Sequence, residues 1–239
     1  MADISFEYKI ETHLNEEFLR RVVDEARFPS GKILLVLNDE PLLDDHLGEC
    51  IPKKLLKYAP DVRVFDQYKK QDWDCGIAVS KKACGLREQL PAYFTHTLGH
   101  ELGHAYVCLT NVDLHIHCCL IHSFICEASN GKITQPSELP DEELFDKFGV
   151  HVAERLFSRK ELNAQINQRI KMLSSKNTFH FEKMLSLAGS SNFGDLRDSL
   201  IDFSMPYRDK LLGLWRKDIV KRGSNALASE IDDLDALFE

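Results

Sequence analysis

The chain has 239 residues, 44% of them hydrophobic and 28% charged, enough to bury a full core as one large domain or a domain with an extension. Its formal charge of −8 argues against broad nucleic-acid binding, and no apolar run is long enough to span a bilayer. The segment Met1-Ala2-Asp3-Ile4-Ser5-Phe6-Glu7 lacks the basic and apolar regions of a signal peptide, so the seven cysteines read as reduced thiols of a cytoplasmic protein.

Asn15 to Phe28 reads as an amphipathic helix. Asn15 caps it, Glu16 and Glu17 suit its first turn, and Phe18, Leu19, Val22, Val23 and Ala26 form an apolar stripe. Pro29-Ser30-Gly31 stops it, and Lys32 to Leu37 reads as a buried strand. A second helix is predicted from Pro41 to Tyr58, divisible at Gly48 and Pro52. Val62 to Phe65 and Gly76 to Ser80 read as further strands around a polar loop, Lys69 to Asp74.

A long helix is predicted from Pro91, which suits a first-turn position, to about Thr110. Gly99 and Gly103 inside it each cost about 1 kcal/mol relative to alanine. Two such glycines four apart imply that another backbone packs closely on that face. Residues 111–149 are less regular, with a short helix at Leu120 to Ala128 and a turn-like stretch from Ser129 to Pro140. Helical patterning resumes with Asp141 to Glu143 as an acidic first turn and runs to about Met172. Further helices are expected at Phe179 to Ala188, Phe193 to Phe203 and Pro206 to Lys221, before an acidic tail from Ser224 to Glu239.

The long helix carries His96-Thr97-Leu98-Gly99-His100-Glu101-Leu102-Gly103-His104. Its His-Glu-x-x-His core places His100 and His104 on one helix face, where both imidazoles can bind one metal ion. Glu101 follows directly and is placed to act as general base, the pattern of a hydrolytic zinc site. The extended pattern with glycine and a third histidine fails, because those positions hold Val107 and Thr110. The third ligand therefore lies elsewhere: Glu154 on a strongly helical stretch is favoured, with Glu127 and His151 as alternatives. His96 is a candidate to support a ligand, to stabilise an oxyanion or to bind the metal itself, beside its plain reading as a helix-surface histidine.

Other residues are less specific. His115, His117, Cys118, Cys119, His122 and Cys126 crowd soft ligands together without the spacing of a structural zinc site, so a second metal and simple burial both stand. Cys75 and Cys84 flank the strand and read as structural.

Gly76-Ile77-Ala78-Val79-Ser80 followed by Thr97-Leu98-Gly99-His100-Glu101-Leu102-Gly103-His104-Ala105-Tyr106 resembles the core of the ImmA/IrrE-type zinc metallopeptidases. The resemblance runs from about Asp61 to Leu162. It implies a compact zincin-like α+β fold, a small sheet packed on the active-site helix, with a helical C-terminal extension. It also implies one zinc ion completed by a glutamate on a later helix. Ala153, Glu154, Phe157 and Leu162 echo that helix, with the register off by one and its asparagine absent. The domains expected are 1–160 for the metallopeptidase, 161–223 for the helical extension and 224–239 for the acidic tail. The expected activity is hydrolysis of a peptide bond in a protein or peptide substrate, in such families often a regulatory protein. The strand Gly76 to Ser80 is a candidate to pair with that substrate, or is plain sheet core.

The competing readings are a non-catalytic partner-binding or regulatory protein on the same scaffold, and a non-peptidase hydrolase. Leu234-Asp235-Ala236-Leu237-Phe238 is similar to sliding-clamp-binding peptides, which makes the acidic tail a candidate for docking a partner.

Overall fold

The segment Ile33-Leu34-Leu35-Val36-Leu37 is apolar at every position, as a strand covered on both faces must be. In the computed structural model it lies in β2 (Lys32–Asn38), and the described residues are 3–8, 16–27, 31–38, 47–56, 63–112, 114, 115, 118, 121, 140–172, 179–187 and 195–206. β1 (Asp3–Tyr8), α1 (Glu16–Ala26) and β2 form a βαβ unit with parallel strands. β3 (Gly48–Pro52) and β4 (Cys75–Ser80) complete a four-stranded sheet ordered β1-β2-β4-β3. β4 runs parallel to β2, and β3 runs antiparallel to β4.

Each face of the sheet has its own cover. Ile33, Leu35, Leu37, Ile77 and Val79 pack with Leu19, Val22 and Val23 of α1 and with Phe94, Leu98 and Leu102. Leu34, Val36, Ile51 and Ala78 pack on the other side with Val64, Phe65, Tyr68 and Trp73. α1 ends at Arg27, whose positive φ of 52° turns the chain out of the helix.

Two predicted elements are corrected. The described part of the helix expected over Pro41 to Tyr58 is strand β3 followed by a 3-10 turn, Lys53–Leu55. Gly48 and Pro52 are poor interior helix residues, and Pro52, closing a strand at the sheet's edge, leaves no ladder donor missing there. The strand expected over Val62 to Phe65 is, from Arg63, a 3-10 helix (Arg63–Tyr68) whose Val64, Phe65 and Tyr68 are buried against the sheet.

Ser80 ends β4 and caps α2 (Lys81–Gln89), its hydroxyl accepting from the Ala83 amide at 3.2 Å. α3 (Pro91–Thr110) starts at the expected proline. The continuous helix predicted from Asp141 to Met172 is two, α4 (Pro140–Leu156) and α5 (Arg159–Met172). A reciprocal cap divides them: the Ser158 hydroxyl accepts from the Glu161 amide, and the Glu161 carboxylate accepts from the Ser158 amide at 2.9 Å.

α6 (Phe179–Ser186) and a further helix over residues 195–206 follow. The division expected after residue 160 falls within α5, whose Leu162 and Ile166 are buried with Leu90, Ala92, Tyr93, Val150 and Ala153. The helix expected beyond Pro206 and the tail Ser224 to Glu239 lie outside the described residues. No helix among the described residues is long and apolar enough to cross a membrane.

Candidate metal centre

The centre is built where α3 and α4 cross, and glycine sets how closely they approach. A Cβ on Gly149 would lie 2.5 Å from the His96 carbonyl oxygen and 3.0 Å from the His100 amide nitrogen. One on Gly99 would lie 3.0 Å from the Gly149 Cα, and Gly103 fits against the rings of Phe145 and Phe148. Gly99 of α3 thus meets a third glycine on α4, as close packing requires, while Gly103 makes room for the two phenylalanine rings. Side chains one turn apart on each helix then converge beside the contact: His100 and His104 from α3, Glu142 and Asp146 from α4.

Nε2 of His100 lies 3.0 Å from Oε2 of Glu142 and 3.2 Å from Nε2 of His104. Nε2 of His104 lies 3.8 Å from Oε1 of Glu142. Zinc bonded tetrahedrally at about 2.0–2.1 Å holds its ligand atoms roughly 3.3 Å apart, which these spacings approach. Among the described residues, these three form a group able to hold a metal ion.

The hydrogen bonding points the same way. Nδ1 of His100 is 2.9 Å from Oδ1 of Asp146, and a carboxylate can only accept there, so Nδ1 carries a proton. In the neutral tautomer Nε2 of His100 is then an acceptor, yet it faces the Glu142 carboxylate. Two acceptors at 3.0 Å need a cation between them, either a second proton on His100 or a metal. Without metal the proton wins. Burial pulls the His100 pKa down, but the hydrogen bonds and charges of Asp146 and Glu142 outweigh it and hold the imidazole well above its usual value.

Aromatic rings fix the second histidine. Phe145 stacks on His104 at 3.5 Å between ring centroids, and the buried ring of His115 meets His104 edge-on at 5.8 Å.

Glu101 packs against β3, where a Cβ on Gly48 would lie 2.6 Å from its Cγ and 2.7 Å from Oε1. Burial raises the Glu101 carboxyl to about 8, with the charges of Glu142, Glu49 and Asp146 adding to the shift and His100 opposing it. That suits a group that takes up and returns a proton near neutral pH.

No family model matches the chain, and searches of curated proteins and of solved structures found no match.

The structure brings together His100, Glu101 and His104 from the motif, and His96 beside them. His96 is buried, its Nε2 3.6 Å from the same Asp146 oxygen that holds His100, and its ring stacks on Tyr93. It is not a surface histidine. Glu154 is corrected: it lies three turns beyond Glu142 on α4, roughly 18 Å along the axis, and pairs with Arg159 at 2.9 Å. His151 sits nine residues past Glu142 on α4, with its ring near Phe148. Glu127 lies outside the described residues.

Glu142 and Asp146 were missed because Asp141-Glu142-Glu143 reads as an ordinary acidic first turn, favourable for the helix dipole alone. The signal that finds them is the spacing Glu142-x-x-x-Asp146 followed by Gly149. It repeats on α4 the polar pair and small residue of α3.

Of the Cys/His cluster, Cys118 is buried in the main core and His115 lies against His104, while His117, Cys119, His122 and Cys126 fall outside the described residues. Cys84 is buried in α2, consistent with a structural role. β4 is paired on both edges, so it is sheet core and offers no edge to a substrate.

Proposed function

We propose that the chain is a zinc-dependent metallopeptidase of zincin type, with one ion held by His100, His104 and Glu142. The observation that carries this is the acceptor of His100 set 3.0 Å from the Glu142 carboxylate, beside a glutamate buried next to it in sequence. Two imidazoles and one carboxylate are a hydrolytic donor set, leaving a coordination position for substrate or water. Zinc supplies Lewis-acid polarisation of a carbonyl and lowers the pKa of a bound water toward neutrality.

The chain's own groups do the rest. Glu101 takes a proton from the attacking water and returns it to the leaving amine, which its raised pKa favours. Asp146 holds His100 in the tautomer that presents Nε2. β3 is the edge strand beside α3 among the described residues, and its outward backbone groups can pair with an extended peptide. That edge favours a protein or peptide substrate over a small ester or amide.

The test uses purified full-length protein. About one equivalent of zinc is expected, lost in Glu142→Ala and retained in Glu154→Ala. A mixed library of extended peptides read by mass spectrometry should show cleavage that Glu101→Gln abolishes. Zinc retained in Glu142→Ala would reject the ligand set. Zinc bound normally with no cleavage of any peptide would leave a partner-binding protein on a metal-stabilised scaffold.

A further inference from the structure

Three thiols meet on the side of the molecule where β3, β4 and the end of α3 come together. Sγ of Cys50 lies 3.2 Å from Sγ of Cys75, and the Cys108 thiol is within hydrogen-bonding reach of Cys75. The strand register explains the contact. Cys50 is opposite Ile77 and Pro52 is opposite Cys75, so the two cysteines are diagonal neighbours on one face of an antiparallel pair. Cys108 is one turn past His104 on α3 and packs onto the same face.

The three differ in access. Cys50 is half-buried on the edge strand, whereas Cys75 and Cys108 are buried. Cys50 is the partly exposed member of the three, and it touches a second thiol.

We propose that Cys50 and Cys75 are an oxidisable dithiol that closes to a disulfide when the protein meets a hydroperoxide. Cys50 is the sulfur an oxidant reaches. Its thiolate attacks a peroxide oxygen, the S–O bond forms, the O–O bond breaks, and the departing oxygen leaves as hydroxide or alkoxide and takes a proton from water. Cys75 then attacks the Cys50 sulfenic acid. The S–S bond forms, the S–O bond breaks, and the hydroxide leaves as water with the proton of Cys75. Two thiols lose two hydrogens and two electrons, and the peroxide is reduced by the same two electrons.

Closing the 3.2 Å contact to a bond of about 2.05 Å asks for a movement of about an ångström, most easily made by the edge strand. Burial keeps the Cys75 thiol protonated, which casts it as the resolving partner rather than the first to react. The Cys108 thiol donates to the Cys75 sulfur and supports the charge that develops there as it attacks. The proposal is independent of the metal and of any peptidase activity.

The test is peptide mapping of the full chain, reduced, freed of reductant, treated with hydrogen peroxide and alkylated. The expected product joins the peptide carrying Cys50 to the peptide carrying Cys75, two hydrogens lighter than their sum and reversed by dithiothreitol. In Cys75→Ala, Cys50 should stop as a sulfenic acid trapped by dimedone and then overoxidise to the sulfinic acid. Overoxidation of Cys50 in the wild-type chain without a link would overturn the proposal. So would a link between Cys75 and Cys108 that leaves Cys50 alkylated. The wild-type map decides the matter even if the variant does not fold.

Discussion

Asp146 on α4 accepts a hydrogen bond from Nδ1 of His100 on α3 at 2.9 Å, joining the two helices at the candidate metal centre through a single proton. That bond chooses the tautomer and so decides which nitrogen faces Glu142 and His104. Removing the carboxylate in Asp146→Ala should weaken zinc binding by about 10–100-fold while leaving the stoichiometry at saturation unchanged. Competition against a chromophoric chelator measures this. Equal affinity in the variant would mean that Asp146 only fills space.

Gly149 offers a second prediction with an internal control. A methyl group there meets backbone atoms at 2.5 and 3.0 Å, which cannot turn aside, so Gly149→Ala should cost about 1–3 kcal/mol. Gly85, in α2, has nothing within 4 Å of the position its Cβ would take. Gly85→Ala should therefore add about 0.5–1 kcal/mol of stability. Urea unfolding of both variants tests the pair, and destabilisation by both would undo the argument from contact.

Gly48 lies on the sheet but reports on the helix. The Cβ in Gly48→Ala would meet Cγ, Cδ and Oε1 of the Glu101 side chain rather than backbone, so that side chain must shift as a whole and carry its carboxylate with it while the fold survives. A misplacement near an ångström is expected to lower kcat on a cleaved peptide by roughly 100-fold with zinc content unchanged. Normal kcat in a folded variant would place the catalytic proton elsewhere.

The metal-free protein should lose stability as pH rises. Glu101 is raised from 4.5 to about 8 in the folded chain, so between those values the unfolded chain ionises first and the folded chain holds the extra proton. Stability from this group is fully present below about 4.5 and is lost as pH rises through 8, a change on the order of 5 kcal/mol. His100, also raised, acts in the same direction, its contribution present below the usual histidine range and lost as pH climbs through its elevated value. Unfolding midpoints of chelator-treated protein across that range should fall with pH, and Glu101→Gln should flatten the fall. A rising midpoint would contradict both assignments.

The sequence was legible where local rules decide. The period of Leu19, Val22 and Val23 marks α1, the apolar run at Ile33 marks β2, and Pro91 starts α3. Gly99 and Gly103 foretold a close neighbour without naming it. The carboxylate that joins the two histidines was not legible because Glu142 lies 38 positions after His104 and no helical period links them. A glutamate in a first turn also needs no metal to justify it. The strand expected over Val62 to Phe65 failed for a related reason: an apolar run records burial, and burial under a sheet is open to a 3-10 helix as well as to a strand.

His100, His104, Glu142 and Asp146 are all carried by helices, and the two helix backbones meet at Gly99 and Gly149. These side chains are therefore set together: the angle and depth at which two rods rest on each other govern every distance between them. Prying α3 from α4 would break all these contacts in the same motion, and pressing the helices together restores them. The centre thus works as a clasp: a cation seated between His100 and Glu142, proton or metal, also draws α3 onto α4.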